Sequence, residues 1–139
     1  MSHSIFACFG FHSRQANQGS EPMQGELSPQ QVHEALQAGA ATLIDVREPM
    51  EFASERIHGA LNMPLSTFDA KALPILNRQT LIFQCGSGKR SRTALDQFLK
   101  TRSEPAAHMA TGIAGWKQAQ LPVVRIDPAT GRIMDPGTF

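Results

Sequence analysis

The sequence predicts one α/β domain, with a mainly parallel central sheet of about five strands flanked by helices on both faces. Three observations predict it. Short strand-like runs, rich in β-branched and apolar residues at 42–46 and 80–84 and briefer at 106–109, are separated by segments whose apolar residues recur at helical spacing. Strands that alternate with helices imply parallel neighbours. At 139 residues and 41% hydrophobic composition, the chain can close one core but hardly two. The expected organisation is a flexible N-terminal extension over 1–25, the domain over 26–124 and a C-terminal tail over 125–139.

Residues 12–26 are rich in Ser, Gln, Asn and Gly, a composition that buries too little surface to offset ordering entropy, so a linker is expected there. At Ser28 the pattern changes: a capping Ser, then Pro29 at the first helical position, then Gln31 three residues after the cap. The helix that follows carries Val32, Ala35 and Leu36 on one face and ends near Gly39. The run at 42–46 reads as a buried strand, closed by Arg47, Glu48 and Pro49, which gathers polar groups at its C-terminal end. Residues 49–55 suit a short helix using Met50 and Phe52, 59–63 a shorter strand stopped by Pro64, and 66–73 a helix or turn.

The run at 80–84 is the next strand. A helix over 91–100 follows, with Ala94, Leu95, Phe98 and Leu99 at helical spacing. Residues 106–109 form another brief strand, and Gly112 leads a final short helix that stops before Pro122. Beyond Val124 come the turn-forming pairs Asp127-Pro128, Thr130-Gly131 and Asp135-Pro136, so the tail is a small hairpin or has no stable structure.

Thirteen Lys and Arg against twelve Asp and Glu leave a formal charge of +1, which gives no global argument for nucleic acid or an anionic membrane as partner. No apolar stretch reaches the roughly 18 residues of a membrane helix, so a soluble, cytoplasmic protein is expected. The residues before Cys8 lack the basic flank and apolar core of a secretory signal, which favours a plain extension over a lipid anchor. Cys8 and Cys85 lie in no CxxC or Cys/His cluster, and His3, His12, His33, His58 and His108 show no ligand spacing. Neither metal nor cofactor is expected, and a reducing compartment suits a working thiol.

Cys85 carries the chemistry. It opens the loop between a strand's C-terminal end and a helix N-terminus, where open α/β sheets bind ligands. Gly86 and Gly88 permit the backbone to turn successive N–H groups inward as an anion nest, and the following helix adds its positive dipole end. Ser87 and Ser91 supply hydroxyls. Lys89 and Arg90 add two cations, placed either to draw in a small dianion or to face solvent. A core cysteine has no need of these neighbours, so a reactive thiolate is expected.

Four motifs in order, over roughly 26–124, resemble the rhodanese family. Residues 43–52, with Asp45, Arg47, Glu48 and Phe52, resemble its first signature, and 57–65, with Gly59, Ala60 and Pro64, its second. Residues 85–91 resemble the active-site loop, and Gly112, Ile113, Ala114, Gly115 and Trp116 the closing element. The resemblance implies a rhodanese-like domain and sulfur transfer by ping-pong covalent catalysis. Cys85 takes a sulfane sulfur from a small anionic donor as a persulfide and passes it to a thiol, cyanide or thioredoxin-like acceptor. The backbone N–H groups of residues 86–90 would hold the terminal sulfur.

Arg56 stands where many relatives have His, and His58 occupies the usual Pro position. The Cys-Gly-Ser-Gly loop is similar to that of mercaptopyruvate sulfurtransferases, so the donor stays open between thiosulfate, mercaptopyruvate and a protein persulfide. Only four residues separate Cys85 from Arg90. Phosphatases related to this fold need a longer loop for a phosphate, which weighs against that activity. Asp45 and Arg47 either contact substrate or form a structural ion pair, the second being favoured, and Glu51 has a similar bracing role. Trp116 and His108 read as core residues, and Cys8 as a surface cysteine. A competing reading is a persulfide carrier or docking module with little turnover of small molecules.

Overall fold

The computed structural model describes residues 23–74 and 78–139. Cys8, His3, His12 and the expected extension up to residue 22 lie outside the described residues. The first strand, β1 (Gly25–Leu27), falls where a linker was expected. It is three residues long with one buried apolar side chain, Leu27, and so leaves no periodic signal. α1 (Pro29–Gln37) begins at the expected capping box: the Ser28 hydroxyl accepts from the Gln31 N–H, and the Gln31 side chain accepts from the Ser28 N–H.

The remaining elements are β2 (Ala41–Asp45), α2 (Pro49–Ser54), β3 (Glu55–Arg56), β4 (Leu61–Asn62), β5 (Thr80–Gln84), α3 (Lys89–Thr101), β6 (Ala106–Met109), α4 (Gly112–Gln118), β7 (Val124–Ile126) and β8 (Ile133–Met134). Single 3₁₀ turns at Leu65–Thr67 and Ala70–Ala72 replace the helix or turn expected at 66–73. The strand expected at 59–63 shortens to β4. Among the described residues, no helix is long and apolar enough to cross a membrane.

Five strands form a parallel sheet in the order β1-β6-β5-β2-β4. Side chains alternate across it. Leu43, Ile82, Ala107 and Met109 pack beneath Val32, Ala35 and Leu36 of α1 and Ile113 and Trp116 of α4. Ile44, Leu81, Phe83 and Ala106 pack on the other face beneath Ala94, Leu95 and Phe98 of α3. Leu99, expected in that stripe, is 54% exposed, and the buried positions of α3 are instead Ser91, Ala94, Leu95 and Phe98. A polar residue thus completes the apolar stripe at helical spacing.

The register pairs Asp45 with Gln84, so β2 and β5 end level and the segments starting at Arg47 and Cys85 leave the sheet side by side. The tail takes the hairpin alternative: β7 and β8 pair antiparallel, and β7 also pairs with β3. Its last residue returns to the domain, where Phe139 meets His58 edge to face and its carbonyl bonds the His33 imidazole at 3.1 Å.

Candidate active site

Cys85 follows β5 directly and is 1% exposed. The loop folds back over its sulfur: the Gly88 N–H donates to Sγ at 3.1 Å and the Ser91 N–H at 3.4 Å, with the Ser91 hydroxyl at 3.7 Å. Closing this ring requires Gly88 at φ +104°, and a Cβ there would run into the Ala110 carbonyl. Gly86 differs from expectation. Its backbone is not left-handed, and an added Cβ would meet only the Arg90 Nη2 at 3.4 Å, so Gly88 alone performs the turn.

The ring is held from outside by α4. Ile113 donates its N–H to the Cys85 carbonyl at 2.8 Å, and Ala114 to the Gly86 carbonyl at 3.2 Å. With these carbonyls bonded to α4, the N–H groups of Ser87, Gly88 and Ser91 act on the sulfur. Gly112 makes the approach possible: it sits at φ +63°, and a side chain there would collide with the Cys85 carbonyl.

Burial pushes the Cys85 thiol up, but hydrogen bonds from the Ser91 N–H, the Ser91 hydroxyl and the Gly88 and Ser87 N–H groups outweigh it. The thiol lies below its ordinary value.

The two cations part company. Arg90 forms a fork with Glu51, Nη1 to Oε1 at 2.7 Å and Nη2 to Oε2 at 3.1 Å, which ties α2 to the loop. These bonds pull the Glu51 carboxyl down to about 2 against the opposing effect of burial, with help from the Glu48 N–H and the Arg90 charge. Lys89 is exposed and makes no ion pair among the described residues.

Asp45 and Arg47 meet as a buried ion pair at 2.8 Å. Arg47 also donates to the Glu55 carbonyl at 2.6 Å, while the Asn62 amide holds the carbonyls of Asp45 and Arg47. The guanidinium is thereby committed to bracing β3 against β2.

Other sequence candidates go elsewhere. His58 pairs with Asp135 at 2.9 Å on the tail, and Trp116 is fully buried with its indole N–H on the Pro122 carbonyl. Among the described residues no group of three or more His, Cys, Asp or Glu could hold a metal ion. One residue read only as structural joins the site: His108 is 3% exposed and its Nδ1 lies 3.0 Å from the Ser91 Oγ. Strand alternation carried the signal, since His108 shares the face of Ala106, which packs under α3.

Fold and site together define a class: an α/β domain that presents one cysteine sulfur inside a nest of backbone N–H groups at the C-terminal edge of a parallel sheet. The rhodanese-like domain family profile matches residues 28–119, and the chain belongs to that family. It is 37% identical over 108 residues to an uncharacterized protein of Synechocystis sp., a match covering 78% of this chain and 60% of that relative's length. It is 31% identical to the thiosulfate sulfurtransferase GlpE of Haemophilus influenzae, covering 70% of this chain and 92% of that protein. Among solved structures, a rhodanese-related protein of Thermoplasma volcanium superposes with a TM-score of 0.62 at 28% identity, covering 71% of this chain and 96% of that one.

Proposed function

We propose that the protein is a sulfurtransferase that moves a sulfane sulfur from an anionic donor such as thiosulfate to a thiol or cyanide acceptor through a persulfide on Cys85. The observation that carries this reading is the convergence of the Gly88 and Ser91 N–H groups on the Cys85 sulfur. In the first half-reaction the thiolate attacks the outer sulfur of thiosulfate. The donor S–S bond breaks and sulfite leaves with its electron pair. In the second, the acceptor thiolate or cyanide attacks the terminal sulfur, and the Cys85 thiolate leaves unchanged in oxidation state.

Residues 86–90 form the wall around the terminal sulfur, with the loop's N–H groups stabilising its charge. Lys89 is the cation that meets the incoming dianion, since Arg90 is neutralised by Glu51. Ser91 supports the loop from within, and the Asp45–Arg47 pair fixes the strand end beside it. Four residues separate Cys85 from Arg90, a shorter loop than in the related phosphatases, which favours sulfur over a phosphoryl group. The thiosulfate sulfurtransferase relatives agree with this chemistry, and a thiol that works as a persulfide carrier suits a reducing, cytoplasmic compartment.

A second reading, a carrier that accepts or delivers sulfur through a docked protein, is favoured by Met50. It is 85% exposed at the second position of α2, the helix whose Glu51 bonds Arg90 of the cysteine loop. A donor and acceptor panel separates the two. Thiosulfate, mercaptopyruvate and a protein persulfide are each paired with cyanide, a small thiol and a thioredoxin-like protein. Ping-pong kinetics with small molecules supports the enzyme. Turnover confined to the protein acceptor supports the carrier, and no turnover with any pair sinks both.

A further inference from the structure

We propose that His108 is a positioning residue for Cys85, donating its Nδ1–H to the Ser91 Oγ so that the Ser91 hydroxyl proton is left for the Cys85 sulfur. The inference deepens the reading of Cys85 as the sulfur nucleophile and rests on it.

Hydrogen-bond accounting around one oxygen carries the proposal. The Ser91 Oγ has one proton and two lone pairs. It lies 3.1 Å from the Gly88 carbonyl, which can only accept, 3.0 Å from the His108 Nδ1, and 3.7 Å from the Cys85 Sγ. With Nδ1 protonated, every group is served while Cys85 is a thiol: Oγ accepts from Nδ1–H and S–H and donates to the Gly88 carbonyl. When the thiol ionises, the sulfur becomes an acceptor and the hydroxyl rotates toward it, still anchored by Nδ1–H. The opposite tautomer breaks this. An Nδ1 lone pair would take the single hydroxyl proton and turn an oxygen lone pair toward the thiolate.

On the far side of the ring Nε2 has no hydrogen-bond partner, and the Glu26 carboxylate of β1 stands 3.9 Å from it. That carboxylate favours a proton on Nε2, so the Nδ1–H assignment rests on the accounting at the Ser91 oxygen. Arg92 and Asp96 of α3 also act on the ring, and Lys89 borders the same cleft. Burial, the largest influence on the ring, lowers its affinity for a second proton. Ser91 and His108 are 17 residues apart in sequence and meet because α3 covers the sheet face on which β6 places His108.

The tautomer is read directly on the unsubstituted protein by long-range ¹H–¹⁵N NMR of the imidazoles. A neutral Nδ1–H form of His108 is expected near neutral pH, and an Nε2–H form overturns the proposal whichever variants fold. The functional link is read from the pH dependence of Cys85 alkylation by iodoacetamide, in a Cys8→Ser background so that one thiol reacts. His108→Leu should raise the apparent thiol pKa by about one unit, a roughly tenfold slower reaction at pH values below it. His108→Asn, which keeps an N–H donor, should restore most of the rate. On top of Ser91→Ala, His108→Leu should add nothing. A His108→Leu profile that superimposes on the parent, or an effect that persists without the Ser91 hydroxyl, overturns the proposal. Alkylation reports the thiol and not sulfur transfer: a protein that never forms a persulfide but keeps this His108 dependence would lose the proposed function and retain the positioning role.

Discussion

The Ile113 N–H donates to the carbonyl of Cys85 at 2.8 Å, so the last helix of the domain grips the backbone of the reactive residue itself. That bond and its neighbour from Ala114 to Gly86 turn two carbonyls out of the loop. They explain why the Gly112 segment, 27 residues beyond the cysteine, belongs to the site.

The glycines of the loop should therefore respond unequally to alanine. Gly88→Ala forces a left-handed backbone on a residue with Cβ and drives that Cβ into the Ala110 carbonyl. It should cost about 2 kcal/mol or more in chemical denaturation and slow Cys85 alkylation. Gly86→Ala meets only the flexible end of Arg90 and should stay within about 0.5 kcal/mol of the parent. Equal losses at both positions would contradict the geometry of the ring.

Among the described residues, Asp45 and Arg47 form the charge pair most removed from water. Asp45→Asn leaves the Arg47 guanidinium buried beside a neutral amide and should destabilise the fold by about 3–5 kcal/mol. The exposed pair Arg92–Asp96 is the control: Asp96→Asn should change stability by less than about 1 kcal/mol. Urea unfolding midpoints of the two variants decide the matter.

Glu51 sets a pH dependence of known sign. Its folded-state carboxyl is held at about 2, below its ordinary 4.5, so the unfolded chain binds the proton first as pH falls. The stabilisation from the Arg90 fork is present above 4.5 and is lost as pH drops through the folded value near 2. The stability difference between the parent and Glu51→Gln should follow that course. A difference that does not change with pH would count against the fork.

Much of this was legible in the sequence because it is local. The strands at 80–84 and 106–109 and the capping box at Ser28 follow from periodicity and from neighbours three residues apart. The parts that were not legible depend on tertiary pairing. β3 has two residues and exists because Val124 and Arg125 come alongside it, and β1 has one inward side chain. Arg90 was read either as drawing in a dianion or as facing solvent, and its partner Glu51 lies 39 residues away, across a contact that no spacing encodes. Ser91 was visible as a loop residue. That it extends the buried stripe of Ala94, Leu95 and Phe98, and so brings His108 to the cysteine, required the face of the helix to be known.

The most direct test of Cys85 as the sulfur carrier is intact and peptide mass spectrometry after separate incubation with thiosulfate, mercaptopyruvate and a protein persulfide, followed by cyanide. At least one donor should add a single sulfur atom to the peptide containing Cys85. Cyanide should remove it, and Cys85→Ser should neither gain sulfur there nor turn over. No added sulfur on Cys85 with any donor, or transfer by Cys85→Ser at the parent rate, would contradict it.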